Sequence, residues 1–184
     1  SGSLSGSTFT FSQNSDSLRT FLCSTVSQAF TPVVIGSVVN QNLHALDQAD
    51  YIIVTHNSLM AQADRLANLH RNQGTSVHVI DVQKVYNEFG GGAADPVAVR
   101  WLMKMFYDRA AGDPALMPKN LCLFGDGTYD PLNRLDGNNY LMPTYNSVEA
   151  GDIEYISSYT ADDFFGFLDD NEGMSPFNLL DIGI

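Results

Sequence analysis

A turn rich in glycine and aspartate, Gly125 to Asp130, holds the residues of this chain that are best placed for chemistry. It follows Leu121 to Phe124, a continuous apolar run typical of a strand buried on both faces in the middle of a parallel sheet. Open α/β sheets place ligands and catalytic groups in the loops that leave the carboxyl ends of their strands. We therefore take Gly125, Asp126 and Asp130 as candidate site residues.

The same turn matches a phosphate-binding loop poorly. Gly125-Asp126-Gly127 is not followed by Gly-Lys-Ser/Thr and does not open a helix. Most of the net charge of -12 lies after residue 120, where twelve acidic residues stand against one basic residue, Arg134. This charge repels nucleic acid, and it attracts divalent cations or basic peptide segments.

Acidic residues near the end of the chain suggest a calcium site. One pair precedes Phe164 to Leu168, which we predict to be a strand, and three more residues follow in a turn. Calcium binds several carboxylate and carbonyl oxygens, although the spacing here is not that of an EF-hand. A solvated acidic turn is the alternative. The five candidate calcium ligands are Asp162, Asp163, Asp169, Asp170 and Glu172.

Cys122 and His56 lie near the ends of strands that a parallel sheet would bring together. A cysteine nucleophile must be exposed beside a base that holds it as a thiolate. Cys122 is instead the second residue of its strand, between two leucines, which favours a core cysteine. The histidine spacings do not suit zinc. We therefore assign no catalytic residue in this chain.

The elements that position these residues alternate between strand and helix. Tyr51 to Thr55 is predicted to be a buried strand, followed by a helix with its N-cap at Asn57 or Ser58, and then by a strand from Val77 to Val82. A short helix from Val82 to Phe89 follows. This order predicts an α/β fold with a parallel sheet and right-handed crossovers.

The helix that begins at Asp95-Pro96 carries the strongest start signal in the chain, with aspartate as N-cap and proline at the first helical position. Its spacing predicts a buried apolar stripe and a polar face toward water. The stripe comprises Val97, Trp101, Leu102, Met105 and Phe106. The polar face comprises Arg100, Lys104, Asp108 and Arg109.

Residues 1–46 are predicted to be a β appendage or the tail of a preceding β domain. The predicted strands are Thr8 to Ser12, Leu18 to Thr25 and Pro32 to Val39. Residues 47–184 are predicted to form the α/β part. Within it, we expect a long surface loop at residues 131–154 and a further strand at residues 178–184.

Several segments together resemble the gingipain family of cysteine peptidases, and in particular its branch of sortases of the type IX secretion system. The resemblance covers roughly residues 40 to 184. The matching segments are Asn40 to Leu46, Asp50 to His56, Ala67 to Arg71, Val85 to Phe89, Leu123 to Asp130, Pro143 to Tyr145 and Asp162 to Gly166.

The resemblance implies a caspase-like fold in two subdomains, of which this chain resembles only the first, non-catalytic one. In the family, a histidine in a Gly-His-Gly context and a cysteine at the end of a later strand form the catalytic dyad. Neither context occurs here, so the dyad is expected beyond Ile184, and the chain alone is expected to be inactive.

The parent protein implied by the resemblance is a secreted, outer-membrane or cell-surface cysteine endopeptidase or sortase that needs no cofactor. Its implied partners are the second subdomain of the same protein and a peptide or protein substrate. No apolar run in this chain approaches the roughly 20 residues of a membrane-spanning helix. Two other classes stay open, a non-catalytic protein-interaction module and a calcium-stabilised α/β module.

Overall fold

The structure, a computed structural model, describes residues 2–14, 16–34, 36–128, 130, 134, 140–146, 160–173 and 178–184, with the side chain of residue 28 excepted. The chain divides into two compact units, Ser1–Ser37 and Val38–Ile184, here called the hairpin unit and the α/β unit. The division predicted from the sequence lies after residue 46. Residues 41–46 belong to the α/β unit because the N–H groups of Leu43 and His44 donate to Glu88, and Arg109 donates to the Leu46 carbonyl oxygen.

The hairpin unit contains two short strands, β1 (Gly2–Ser5) and β2 (Thr8–Phe11). They pair antiparallel across a two-residue turn in which Gly6 has φ +60°, a conformation that favours glycine. The strand predicted at Thr8 to Ser12 is therefore confirmed, and its partner β1 was not foreseen. The strands predicted at Leu18 to Thr25 and at Pro32 to Val39 are wrong, because the described residues there form no strand.

The α/β unit is built on a three-stranded parallel sheet with the order β4-β3-β5. The strands are β3 (Tyr51–Thr55), β4 (Val77–Asp81) and β5 (Asn120–Phe124). The expected α/β fold with a parallel sheet is thus confirmed. The prediction that residues 121–124 form the middle strand is wrong, because β3 lies between the other two. On the other side of β5, Asn120 forms a parallel bridge to Gly183.

Three helices connect and cover the strands: α1 (Met60–Arg71), α2 (Val82–Phe89) and α3 (Pro96–Ala110). Asp95 caps α3 as predicted, because its side chain accepts a hydrogen bond from the Val97 N–H. The cap expected at Asn57 or Ser58 is wrong. A 3-10 turn, Asn57–Leu59, precedes α1, and the His56 side chain caps that turn by accepting from the Ser58 N–H.

The central strand β3 is buried on both faces, which accounts for its continuous apolar run, whereas β4 and β5 are partly buried. The larger core cluster joins strand residues such as Ile52 and Leu121 to α2, α3 and the segment around Phe165. A smaller cluster packs Ile53 against Ala63 and Ala67 of α1. None of the helices in the described part of the chain has both the length and the apolar character needed to cross a membrane.

The stripe predicted for α3 is only partly correct. Leu102 and Phe106 are fully buried, whereas Val97 and Trp101 lie at the surface. The buried face of α3 differs from the predicted one, because Val99 and Met103 are also buried in the core. Their burial places α3 against both the sheet and the segment after residue 160.

Two predictions near the end of the chain are also corrected. Asp162–Gly166 is a 3-10 helix rather than part of a strand, because Phe164 and Phe165 point into the core in succession instead of alternating between faces. Residues 178–184 form no strand apart from the bridge at Gly183. Much of the loop predicted for residues 131–154 lies outside the described residues.

Candidate functional site

The candidate site begins where β5 ends, at the carboxyl edge of the parallel sheet. Asp126 accepts hydrogen bonds through its carbonyl oxygen from the N–H groups of Leu141 and Met142, at 3.2 and 3.0 Å. Thr144 Oγ1 donates to the Thr128 carbonyl oxygen at 2.6 Å. These bonds hold residues 125–128 beside residues 140–146, so the loop after β5 is an ordered edge with a defined backbone path.

Glycine is required at two positions of this loop by close packing. A Cβ atom on Gly125 would lie 2.7 Å from Met142 Cγ, and one on Gly127 would lie 2.4 Å from Thr144 Cγ2. Such distances are far below ordinary van der Waals contact, so a side chain would push the two segments apart. Glycine at these two positions therefore allows residues 125–128 to pack closely against residues 140–146.

Thr55 anchors the loop from the neighbouring strand. Its side chain is fully buried, and its Oγ1 donates to the Phe124 carbonyl oxygen at 2.7 Å. This bond ties the end of β5 to the end of β3, the central strand. The carboxyl ends of both strands are consequently fixed relative to each other.

A cleft of about 390 Å³ opens beside this loop. Leu123, Met142 and Pro143 supply its apolar wall, and Thr128, Thr160 and Asp162 add polar groups. Polar and apolar atoms contribute similar shares of its lining, so both kinds of contact are available to a ligand.

The predicted site residues are distributed unevenly around the cleft. Gly125 lines it directly, the Asp126 side chain is exposed, and Asp130 is buried and donates through its N–H to Thr128 Oγ1 at 3.0 Å. Of the five predicted calcium ligands, only Asp162 reaches this cleft. Their roles as site or support residues stay predictions.

Asp169, Asp170 and Glu172 lie beside α3, whereas Asp163 is exposed on the 3-10 helix Asp162–Gly166. Asp169 and Glu172 converge with Asp181, with one carboxylate oxygen of each within 4.8 Å of the others. Asp181 was not among the predicted ligands. Asp170 instead pairs with Lys104, at 2.8 Å between Oδ1 and Nζ, and this contact lowers the pKa of Asp170.

Protein donors already occupy several oxygens of this acidic cluster. Tyr107 donates its hydroxyl to Asp169 at 2.8 Å and to Asp181 at 3.3 Å, and these contacts raise the pKa of Tyr107. The Leu168 N–H donates to Asp181 Oδ2 at 2.7 Å. Arg100 donates to the carbonyl oxygens of Phe167 and Glu172.

Arg100, Lys104 and Tyr107 therefore form one polar face of α3 that holds residues 167–172. Their spacing of four and then three residues places them on the same side of a helix. This spacing is the feature of the sequence from which the contact with residues 167–172 could have been predicted. The expectation that Arg100 and Lys104 face water alone is wrong.

Both cysteines of the chain, Cys23 and Cys122, are free thiols. Burial raises the pKa of the Cys122 thiol, which lies beside the Tyr51 hydroxyl, and Cys23 is exposed in the hairpin unit. A raised pKa disfavours the thiolate that nucleophilic attack requires. Cys122 is half-buried and packs against the smaller core cluster, so its assignment as a core residue is only partly correct.

A parallel sheet covered by helices, with an ordered loop and a cleft at its carboxyl edge, defines an α/β domain with a candidate site at the end of its strands. The chain belongs to peptidase family C25, whose family model matches residues 44–184. This is the gingipain family expected from the sequence. No curated protein sequence matched the chain.

Among solved structures, the chain is similar to dimeric latent PorU from Porphyromonas gingivalis, with 37% sequence identity and a TM-score of 0.68. The match covers 79% of this chain and 14% of the PorU chain. The expected likeness to the PorU branch is therefore confirmed. The chain spans a small part of the length of this relative.

Proposed function

We propose that this chain forms the first, non-catalytic α/β subdomain of a gingipain-like cysteine endopeptidase or sortase. Membership of family C25 over residues 44–184 is the observation that carries the proposal. Cys122 is half-buried, and burial raises the pKa of its thiol, which disfavours the thiolate and supports a dyad located elsewhere. We extend the proposal to a secreted or cell-surface location on the basis of the resemblance.

In the proposed enzyme, a thiolate attacks the peptide carbonyl and a histidine transfers the proton to the leaving amine. The acyl-enzyme then passes to water in hydrolysis or to an amine in transpeptidation. The described residues contribute the carboxyl edge of the sheet, with the loop held between Thr55 and Thr144. This ordered edge would support the second subdomain and one side of the peptide-binding cleft.

The first test uses the 184-residue chain with peptide substrates and a thiol-reactive probe. We expect no turnover, and we expect Cys122 to react more slowly than the exposed Cys23, because Cys122 is half-buried and burial raises the pKa of its thiol. Cys122→Ala and Cys23→Ala assign the labelled sites. Turnover that is lost in Cys122→Ala would show that this chain is itself the peptidase.

The second test reads the gene beyond the codon for Ile184. A Gly-His-Gly segment and a later strand that ends in cysteine would supply the proposed dyad. A gene that ends near this codon would instead favour a non-catalytic interaction module.

A calcium-stabilised module is the second candidate, and the convergence of Asp169, Glu172 and Asp181 favours it. An ion that binds only the folded chain raises its melting temperature. Melting is therefore compared in millimolar calcium, in magnesium and in chelator, for the wild type and for Glu172→Gln. A calcium-specific rise that Glu172→Gln abolishes supports the site, and identical curves in all three solutions reject it.

A further inference from the structure

The exposed side of α3 carries apolar side chains that the fold itself does not need. Trp101, the only tryptophan in the chain, is 54% exposed, and Val97 is 39% exposed. The helix is already anchored through Leu102, Met103 and Phe106, which are fully buried. Tryptophan is a residue type that often dominates binding at protein interfaces.

Two clefts flank this tryptophan, and Trp101 and Lys104 line both of them. The first cleft, of about 320 Å³, also has Phe164 and Leu168 in its wall. The second, of about 360 Å³, has Phe89. An apolar side chain can therefore enter on either side of the indole ring. We call this region the Trp101 surface.

The charge around the Trp101 surface is negative. Five carboxylates line the two clefts, against two cationic side chains, which leaves a formal charge of -3 when His44 is neutral. The five are Asp169, Asp170, Glu172, Glu88 and Asp108.

Both cations of this surface are already engaged. Arg100 bonds to two carbonyl oxygens and lies 5.2 Å from the centre of the Phe164 ring. Lys104 pairs with Asp108 at 2.5 Å and with Asp170 at 2.8 Å. Neither side chain is left to attract an acidic partner. Lys104 offsets Asp108 and Asp170, whereas Asp169 and Glu172 form no ion pair among the described residues and attract a basic partner.

We propose that the Trp101 surface binds a basic segment of another protein, with apolar side chains in the two clefts and lysine or arginine side chains toward the carboxylates. A second copy of this chain fits less well. A symmetric contact would set the same acidic surface against itself, and each chain carries a net charge of -12. The proposal does not depend on the peptidase function.

The test uses a synthetic peptide of alternating lysine and leucine and the 184-residue chain. Because Trp101 is the only tryptophan, its fluorescence reports on this surface alone. We expect saturable binding with a blue shift of the emission, and weaker binding as salt increases. Matched peptides of alternating glutamate and leucine, and of lysine and glycine, should bind at least about tenfold more weakly.

Variants connect the binding to these residues. By calorimetry, Trp101→Ala should weaken the binding of the lysine–leucine peptide by at least about tenfold. Asp170→Asn should weaken it by a smaller factor. Leu69→Ala is the matched control, because Leu69 is 56% exposed on α1 and belongs to neither cleft, and it should bind as the wild type does.

Three results would overturn the proposal. The first is an unchanged Trp101 emission at saturating lysine–leucine peptide. The second is equal binding of the glutamate–leucine peptide. The third is dimerisation in sedimentation that Trp101→Ala abolishes, since it would assign the surface to a second copy of the chain.

Discussion

The hairpin unit and the α/β unit contain similar apolar segments with opposite outcomes. Every residue of the hairpin unit whose burial is described is exposed, including Phe30 at 99%. In the α/β unit, Ile52, Ile53 and Val54 on the central strand are fully buried. Both regions contain runs that predict strands, yet within the described residues only the α/β unit surrounds its strands with helices.

This difference shows what an apolar run requires in order to form a buried strand. In the α/β unit, β3 has a strand on each side, α1 over one face, and α2 and α3 within the core cluster of the other. Among the described residues of the hairpin unit, β1 and β2 pair with each other alone, and the apolar run at Leu18 to Thr25 forms no strand. An isolated pair of strands buries too little surface to form a core.

The largest expected difference between the units comes from removing a phenylalanine side chain. Phe106→Ala in α3 should lower the free energy of unfolding by about 3–5 kcal/mol, because it empties a fully buried site. Phe30→Ala in the hairpin unit should change it by less than about 0.5 kcal/mol. Urea denaturation followed by circular dichroism measures both. Equal losses would mean that Phe30 is buried in solution.

Glycine substitution gives the next contrast. Gly127→Ala should cost about 1–3 kcal/mol, because its new Cβ would meet Thr144 in the loop after β5. Gly36→Ala in the hairpin unit has no atom within 4 Å of the new Cβ and should change stability by less than about 1 kcal/mol. Thermal melting compares the two. A neutral Gly127→Ala would show that the loop can relax away from residues 140–146.

Glu88 tests the docking of residues 41–46. Its carboxylate accepts from the N–H groups of Leu43 and His44 and from the side chains of Gln41 and His44. Glu88→Gln should destabilise the α/β unit by about 1–3 kcal/mol, because the uncharged amide accepts fewer of these bonds. Asp16→Asn, at an exposed ion pair of the hairpin unit, should have almost no effect. Chemical denaturation at neutral pH compares them.

The same carboxylate predicts a pH dependence. Burial alone would raise the pKa of Glu88, but the hydrogen bonds outweigh it and lower the pKa from 4.5 to about 2. A carboxyl group with a depressed pKa in the folded state stabilises the protein above its unfolded pKa. Wild-type stability should therefore fall between about pH 4.5 and pH 2, and Glu88→Gln should lose this part of the fall. Parallel curves would contradict the assignment.

The smallest expected effect concerns ion pairs at the surface. Lys104→Met should cost about 0.2–1 kcal/mol, because Lys104 contacts two carboxylates while its stem keeps its packing. Arg19→Met in the hairpin unit removes a single exposed pair and should cost less still. Melting curves in low and in molar salt measure both, and the cost of Lys104→Met should shrink in high salt. A salt-independent cost would indicate that packing was lost instead.

The parallel sheet and its helices were predictable because their signals are local. Each of these signals is contained in a few neighbouring residues. They are the apolar runs of β3, β4 and β5 and the Asp95-Pro96 start of α3. The position of β5 in the sheet was not predictable, since strand order depends on pairing between distant segments. The orientation of α3 about its own axis was not predictable for a related reason. The spacing of Val97 and Trp101 fits a buried stripe, and only the contacts of Val99 and Met103 with the core show which side of the helix is buried.

The same contrast between local signals and contacts of distant segments applies to the candidate site. Its location at the end of β5 could be inferred, because a turn after a buried strand in a parallel sheet must lie at the carboxyl edge. The partners of that turn, Met142 and Thr144, are about fifteen residues away and carry no local signal. The acidic cluster likewise required Asp181 to approach Asp169 and Glu172.

The sequence by itself determined the α/β class, the family resemblance, the Asp95 cap of α3 and the acidic charge, since each depends on residue types at short spacing. Only the tertiary structure decided which apolar residues are buried. Burial depends on a covering layer that folding must bring into place from elsewhere in the chain. For that reason Phe106 lies in a core, whereas Phe30 and Trp101, equally apolar in the sequence, remain at the surface.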